Sequence, residues 1–201
     1  MLQAQRPRLI LASQSTARAA VLRSAGLDFE ARPARVDEGA VKAAAQTEGA
    51  SPGDAALLLA GLKAQRVRDP DGLVIGADQI LVCDGRWFDK PASLAEARAH
   101  LLTLRDRDHT LETAIVCCRD GREVWRHLAK PRLTMRAFSD AFLDAYLRLE
   151  GEAALASVGA YRLEGLGAQL FSRVEGEHAA VLGLPLISLL GFLRQHGVLL
   201  A

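Results

Sequence analysis

Cysteine is scarce in this chain, three of 201 residues, and Cys83, Cys117 and Cys118 show no CxxC spacing. An odd count without that spacing excludes a disulfide or zinc framework and points to buried, reduced thiols, as in a cytosolic protein. Charge of one sign is lacking too: 25 Lys and Arg face 24 Asp and Glu, leaving a formal net charge of +1. That balance excludes a nucleic-acid binder working through a strongly basic face, while leaving small charged ligands open. No run approaches the ~18 apolar residues of a membrane span; the apolar stretch 179–187 is interrupted by Gly183 and Pro185. Residues 1–7 are polar with a single Arg, so no secretory signal is expected and the cytoplasm is the expected location. Walker-type GxxxxGK[ST], HExxH and GxSxG are absent, and Gly165-Leu-Gly167 falls short of GxGxxG. The five histidines are scattered, so each reads as structural or solvated.

What is present is an ordinary globular composition, 50% hydrophobic and 24% charged. At this length a core buries roughly 70% of the unfolded chain's surface, so one domain over 1–201, or two closely packed lobes, needs no covalent or metal staple. Arg8 to Ala12 reads as a strand; Ser13, Gln14, Ser15 and Thr16 follow, and a helix runs from Ala17 to Ala25. A hydroxyl-rich turn before a helix can receive an anion on unpaired N–H groups, or can simply cap the helix. A second helix spans Ser51 to Arg68, with Pro52 in its first turn and Leu57, Leu58, Leu62 and Val67 as its apolar stripe. Lys63 lies on that helix, where a lone lysine is ordinarily solvated.

Leu73 to Ile75 and Ile80 to Cys83 are two apolar runs; Asp84-Gly85 then turns the chain into Arg86 to Phe88. Ser93 with Glu96 forms a capping box opening a helix through Leu104. A hairpin is expected over 113–127, turning at Asp120-Gly121, then a helix from Ser139 to Leu149 stopped by Gly151, and a last helix over 186–196. Alternating strands and helices with hairpins among them imply an α/β protein with a mixed sheet.

Three acidic places stand out as exposed strand or turn ends: Asp37-Glu38, Asp78 in Gly76-Ala-Asp-Gln79, and Glu164 in Arg162-Leu-Glu-Gly165. Asp78, placed just past a buried strand, suits metal binding or general-base work, although on local grounds alone a turn-capping aspartate is the commoner reading. Arg18, Lys63 and Lys90 are the basic counterparts. A triphosphate substrate calls for both sets: cations neutralise phosphate oxygens, while carboxylates hold a metal and activate water.

Together these segments resemble the Maf family of nucleoside triphosphate pyrophosphatases. The resemblance rests on Leu-Ile-Leu-Ala-Ser-Gln-Ser-Thr-Ala-Arg at 9–18, Val36-Asp-Glu38, Lys63, Gly-Ala-Asp-Gln at 76–79, Lys90-Pro91, Gly-Ala-Tyr-Arg-Leu-Glu-Gly-Leu-Gly at 159–167 and Val-Leu-Gly-Leu-Pro-Leu at 181–186. The motifs occur in family order over nearly the whole chain. It implies a curved mixed sheet flanked by helices, related to the inosine triphosphate pyrophosphatases, with two lobes and an active cleft between them. The implied reaction hydrolyses a nucleoside triphosphate to the monophosphate and pyrophosphate with Mg²⁺ or Mn²⁺.

Residue by residue, the resemblance makes Ser13 and Arg18 phosphate-contacting, Lys63 and Lys90 phosphate-binding lysines, Glu38 a site carboxylate, and Asp78 the general base or, with Glu38, a metal ligand. Two departures stand out. The family's frequent Pro-Arg-Arg is Thr16-Ala17-Arg18 here, removing one arginine, and the glycine often preceding Lys-Pro is Asp89. Gln79 and Glu164 resemble the branch acting on 7-methyl-GTP. A carboxylate at 164 would accept from guanine N1–H and N2–H₂ and favour a base made cationic by methylation. The alternatives are a pyrophosphatase for dTTP, UTP or other noncanonical nucleotides, and a non-catalytic nucleotide-binding regulator of cell division. A homodimer is compatible with the family; nucleic-acid and membrane partners are not expected.

Overall fold

A computed structural model describes residues 2–200. In chain order its elements are β1 (Arg8–Leu11), α1 (Thr16–Ser24), β2 (Phe29–Ala31), α2 (Glu38–Thr47), α3 (Pro52–Arg66), β3 (Gly72–Cys83), β4 (Arg86–Phe88), α4 (Leu94–Leu104) and β5 (Asp108–Arg119). There follow β6 (Arg122–Ala129), β7 (Arg132–Met135), α5 (Asp140–Glu150), three short 3₁₀ turns within 151–170, β8 (Phe171–Glu175), α6 (His178–Val181) and α7 (Leu186–Gln195). The strands form one mixed sheet in the order β2-β1-β3-β5-β7-β8, with β4 on β3 and β6 on β5. β1 lies parallel to β2 and β3, whereas the β3–β4, β5–β6, β5–β7 and β7–β8 pairs are antiparallel. The expected α/β class with a mixed, helix-flanked sheet is therefore what the chain adopts.

Two compact units divide the chain. One comprises the segment up to Asp78, Thr113–Ala129 and everything from Gly183 onward; the other comprises Gln79–Glu112 and Lys130–Leu182. In the first, the strand residues Leu9, Ile10, Leu11 and Ile75 are buried with Leu22 of α1 and Leu59 of α3. Each such side chain contributes roughly 1.5–3 kcal/mol of transfer free energy, which pins the two parallel crossovers against the sheet. In the second, Phe88, Leu101, Leu104, Leu111, Leu133, Leu143 and Tyr146 belong to one apolar cluster. There the imidazole of His109 meets the Tyr161 hydroxyl at 2.8 Å, and burial lowers its pKa to about 4, so it is neutral near pH 7.

The serines at the helix starts act as caps. Ser15, Ser51, Ser93 and Ser139 each accept a hydrogen bond from a backbone N–H in the first turn of α1, α3, α4 and α5. The turns at Asp84-Gly85 and Asp120-Gly121 place both residues at positive φ, as two-residue hairpin loops require. All three cysteines are free and buried.

Four expectations need correction. The runs 73–75 and 80–83 are not separate strands but parts of one twelve-residue strand, β3. Asp78 thus lies within a strand and is buried, not exposed at its end. On α3 the buried face is Ala55, Ala56, Leu59, Ala60, Lys63 and Ala64, while Leu57 and Leu62 are half-buried and Leu58 is exposed. Small side chains bring that helix close to the sheet, and periodicity of large apolar residues alone misidentifies its inner face. Lys63, ordinarily a solvated type of residue, is 6% exposed.

Candidate active site

β1 ends at Leu11, whose partner on β3 is Ile75, and β3 continues for eight more residues. Asp78 consequently lies three residues beyond the level at which the chain leaves β1 into the Ser13–Ser15 turn. The crevice outside the carboxyl ends of parallel strands is the usual ligand position in open α/β sheets. Gly76 and Asp78 share one face of β3 because side chains alternate. A Cβ at Gly76 would lie 2.1 Å from the Ala60 carbonyl oxygen and 2.8 Å from the Ala64 nitrogen. Glycine there is what lets α3 approach, and the approach places Lys63, one turn on from Ala60, against Asp78.

The Lys63 ammonium lies 2.6 Å from Asp78 Oδ1 and 2.7 Å from Glu38 Oε1. Two carboxylates converge on one buried ammonium, Asp78 from the interior and Glu38 from a half-exposed side chain, and together they offset the cost of burying Lys63. Asp78 Oδ2 is buried and accepts no hydrogen bond. Glu38 is the first residue of α2, capped by the Asp37 side chain accepting from Ala40 N–H at 3.0 Å. Its carboxyl group is partly desolvated, which raises its pKa, but Lys63 with Lys42 and Arg18 outweighs this and holds it below the ordinary carboxylate value.

Arg18 projects from α1. Its Nε donates to the Gly183 carbonyl at 2.9 Å and its Nη1 donates to Ser13 Oγ at 3.3 Å. Ser13 Oγ also accepts from Ser15 N–H at 3.2 Å. Burial lowers the guanidinium pKa from its ordinary value, while Asp78 and Glu38 raise it; it remains a cation at any physiological pH. Gly183, at φ +95°, presents the carbonyl that aims Arg18. Ser13, Arg18, Glu38, Lys63 and Asp78, spread over 65 positions of sequence, thus belong to one unit and to one connected set of ionic and electrostatic partners.

Gln79, Lys90 and Glu164 belong to the second unit. Gln79 donates from Nε2 to the carbonyls of Ala180 at 3.0 Å and Val181 at 3.2 Å. Lys90 is exposed after β4. Glu164, in the turn before Gly165, lies 3.6 Å from Arg162 Nε, and the same nitrogen lies 3.3 Å from Glu150 Oε1. Sequence reasoning missed Gly183, Arg162 and Glu150. Arg162 was within a quoted motif; nothing local marks Glu150, because its partner is twelve residues away.

Among the described residues no group of three or more His, Cys, Asp and Glu is arranged to hold a metal ion. Glu38 with Asp78, whose Oδ2 is buried without a hydrogen-bond partner, nevertheless fits the mode in which a hard divalent cation takes one or two carboxylates and fills its remaining positions with water and phosphate oxygens.

Residues 8–196 match the family model for Maf-like proteins. The chain belongs to the Maf family. A protein of Granulibacter bethesdensis named "Nucleoside triphosphate pyrophosphatase" is 55% identical over 194 residues, covering 96% of this chain and 98% of its own. One of Rhodospirillum rubrum with the same name is 53% identical, covering 97% and 98%. A "7-methyl-GTP pyrophosphatase" of Rhizobium meliloti is 48% identical over 196 residues, covering 96% and 98%. Maf membership agrees with the resemblance drawn from the motifs, and every quoted motif falls inside the matched span.

Proposed function

We propose that this Maf protein is a nucleoside triphosphate pyrophosphatase, a hydrolase, whose substrate is 7-methyl-GTP. The general activity is supported by near full-length identity to relatives of that name. The observation that carries the chemistry is the buried Lys63–Asp78 pair, joined by the half-exposed Glu38, with an unpartnered Asp78 oxygen. Asp78 Oδ1 stays on Lys63, while Oδ2 orients a water and takes its proton as the water oxygen bonds to the α-phosphorus. The bond from that phosphorus to the bridging oxygen breaks, and pyrophosphate leaves with its charge stabilised by Arg18 and Lys63. Ser13 contacts the phosphates and fixes Arg18. Glu38 holds Lys63 in place. Glu38 would hold Mg²⁺ or Mn²⁺, joined by Asp78 Oδ2 where Asp78 serves as metal ligand instead of base, and the ion when bound supplies charge neutralisation on the phosphate oxygens.

Glu164 supplies base selection in this reading. Its carboxylate accepts from the donor edge of guanine and favours the positive charge of the 7-methylated ring, whereas the uracil or thymine carbonyls would face an acceptor. Gln79 contributes by anchoring residues 180 and 181. The test is pyrophosphate release from 7-methyl-GTP, GTP, UTP and dTTP in Mg²⁺. The expected result is the highest kcat/KM for 7-methyl-GTP. Equal or better turnover of UTP or dTTP would replace this substrate with a pyrimidine nucleotide, and nucleotide binding without pyrophosphate release would make the chain a non-catalytic binder.

A further inference from the structure

Glu164 is not an isolated carboxylate. One guanidinium, that of Arg162, stands between it and Glu150: Arg162 Nε is 3.6 Å from Glu164 Oε1 and 3.3 Å from Glu150 Oε1. Two carboxylates and one guanidinium leave the group with one net negative charge. Glu150 supplies half of the negative side from a shielded position, its side chain 6% exposed against 38% for Glu164. Its Oε1 is buried and makes no hydrogen bond, so its link to Arg162 is electrostatic and its charge is incompletely quenched.

The surrounding structure holds this arrangement. Glu150 and Tyr146 lie one turn apart on the same face of α5. The Tyr146 hydroxyl donates to the Ala160 carbonyl at 3.1 Å and also meets the Arg162 backbone. A Cβ at Gly167 would come within 2.6 Å of the Arg162 backbone, and one at Gly165 within 3.4 Å of Arg162 Nη2. The turn is therefore wrapped closely about Arg162, with α5 as its support.

We propose that Glu150 is a specificity-positioning residue: through Arg162 it keeps the Glu164 group net negative, so that the site discriminates a cationic base from a neutral base with the same hydrogen-bonding edge. This rests on the assignment of Glu164 to base selection. Recognition then has two separable parts. Glu164 reads the donor edge that distinguishes guanine from uracil. The net charge, to which Glu150 contributes without touching the nucleotide, distinguishes 7-methylguanine from guanine. Removing the Glu150 charge leaves Glu164 fully paired by Arg162, and the group becomes neutral.

The experiment compares KM and kcat for 7-methyl-GTP, GTP and UTP in the wild type, Glu150→Gln, Glu150→Asp and Glu164→Gln, at low ionic strength. In Glu150→Gln the preference for 7-methyl-GTP over GTP is expected to fall on the order of tenfold, through KM, with kcat and the GTP over UTP preference retained. Glu150→Asp restores the charge and recovers most of the preference, whereas Glu164→Gln loses both preferences. A Glu150→Gln enzyme that keeps the wild-type 7-methyl-GTP over GTP ratio overturns the role of Glu150 alone. A wild type that does not prefer 7-methyl-GTP over GTP overturns the base-selection reading beneath it. Should Glu150→Gln fail to fold by circular dichroism, Arg162→Gln decides: it makes the group more negative and must raise the ratio, and a fall or no change contradicts the proposal.

Discussion

At the scale of single residues, Lys63 is the centre of the electrostatic design. Its ammonium pairs with two carboxylates at once, within 2.7 Å of each. Replacing it by methionine, which matches its volume, leaves Asp78 in the interior without its hydrogen-bonded counter-ion. We expect Lys63→Met to lose about 3 kcal/mol of stability at pH 7, read as a lower urea midpoint, together with nearly all activity. An unchanged midpoint would mean that the ion set contributes nothing to the fold. His109 makes a different kind of prediction. Its folded-state pKa is about 4 against an ordinary 6.5, so the unfolded chain takes up a proton that the folded chain refuses. The stabilising term is complete above about pH 6.5 and is lost as pH falls toward 4, for a total of about 3 kcal/mol. Thermal midpoints of the wild type should therefore drop between pH 6.5 and 5 more steeply than those of His109→Gln; parallel curves would exclude His109 as the source.

At the scale of elements, the contact that assembles the chemistry is the approach of α3 to β3 at Gly76. Gly76→Ala inserts a methyl 2.1 Å from the Ala60 carbonyl oxygen, and the helix must move away. Overpacking of this kind costs about 1–3 kcal/mol, and the displacement carries Lys63 away from Asp78. The expected outcome is a loss of kcat exceeding what the fraction of unfolded protein explains; wild-type kcat in a folded Gly76→Ala would show that the approach is not needed. Elements bounded by local chemistry were legible in the sequence. Ser51 and Pro52 mark the start of α3, Ser93 that of α4 and Ser139 that of α5, while Asp84-Gly85 and Asp120-Gly121 mark two hairpins. α2 was not legible, because its alanine-rich sequence buries only Ala45 and shows no apolar stripe. β3 was split in reading because Gly76, Asp78 and Gln79 look like a turn. Only the packing of α3 shows why glycine and a carboxylate sit inside a strand.

At the scale of the whole molecule, the residue types of the candidate site were legible, but their convergence was not. Nothing local says that residues 38, 63 and 78 share an ammonium, since three different elements deliver them. Family motifs carried that information, and the geometry supplies its physical cause. Glu164 shows the opposite limit: its motif was visible, but not that its partner Arg162 is shared with Glu150. If Glu38 and Asp78 hold a divalent cation, dialysis against a chelator should abolish turnover while leaving the far-ultraviolet circular dichroism intact, and Mg²⁺ should restore it. Turnover unaffected by chelation would remove the metal from the account. The most direct measurement of the central claim is steady-state pyrophosphate release by Asp78→Asn beside the wild type, with folding checked by circular dichroism. The account predicts a folded variant whose kcat falls at least about 100-fold, because the amide cannot take the proton of the attacking water. A folded Asp78→Asn enzyme that turns over at a rate near the wild type would contradict it.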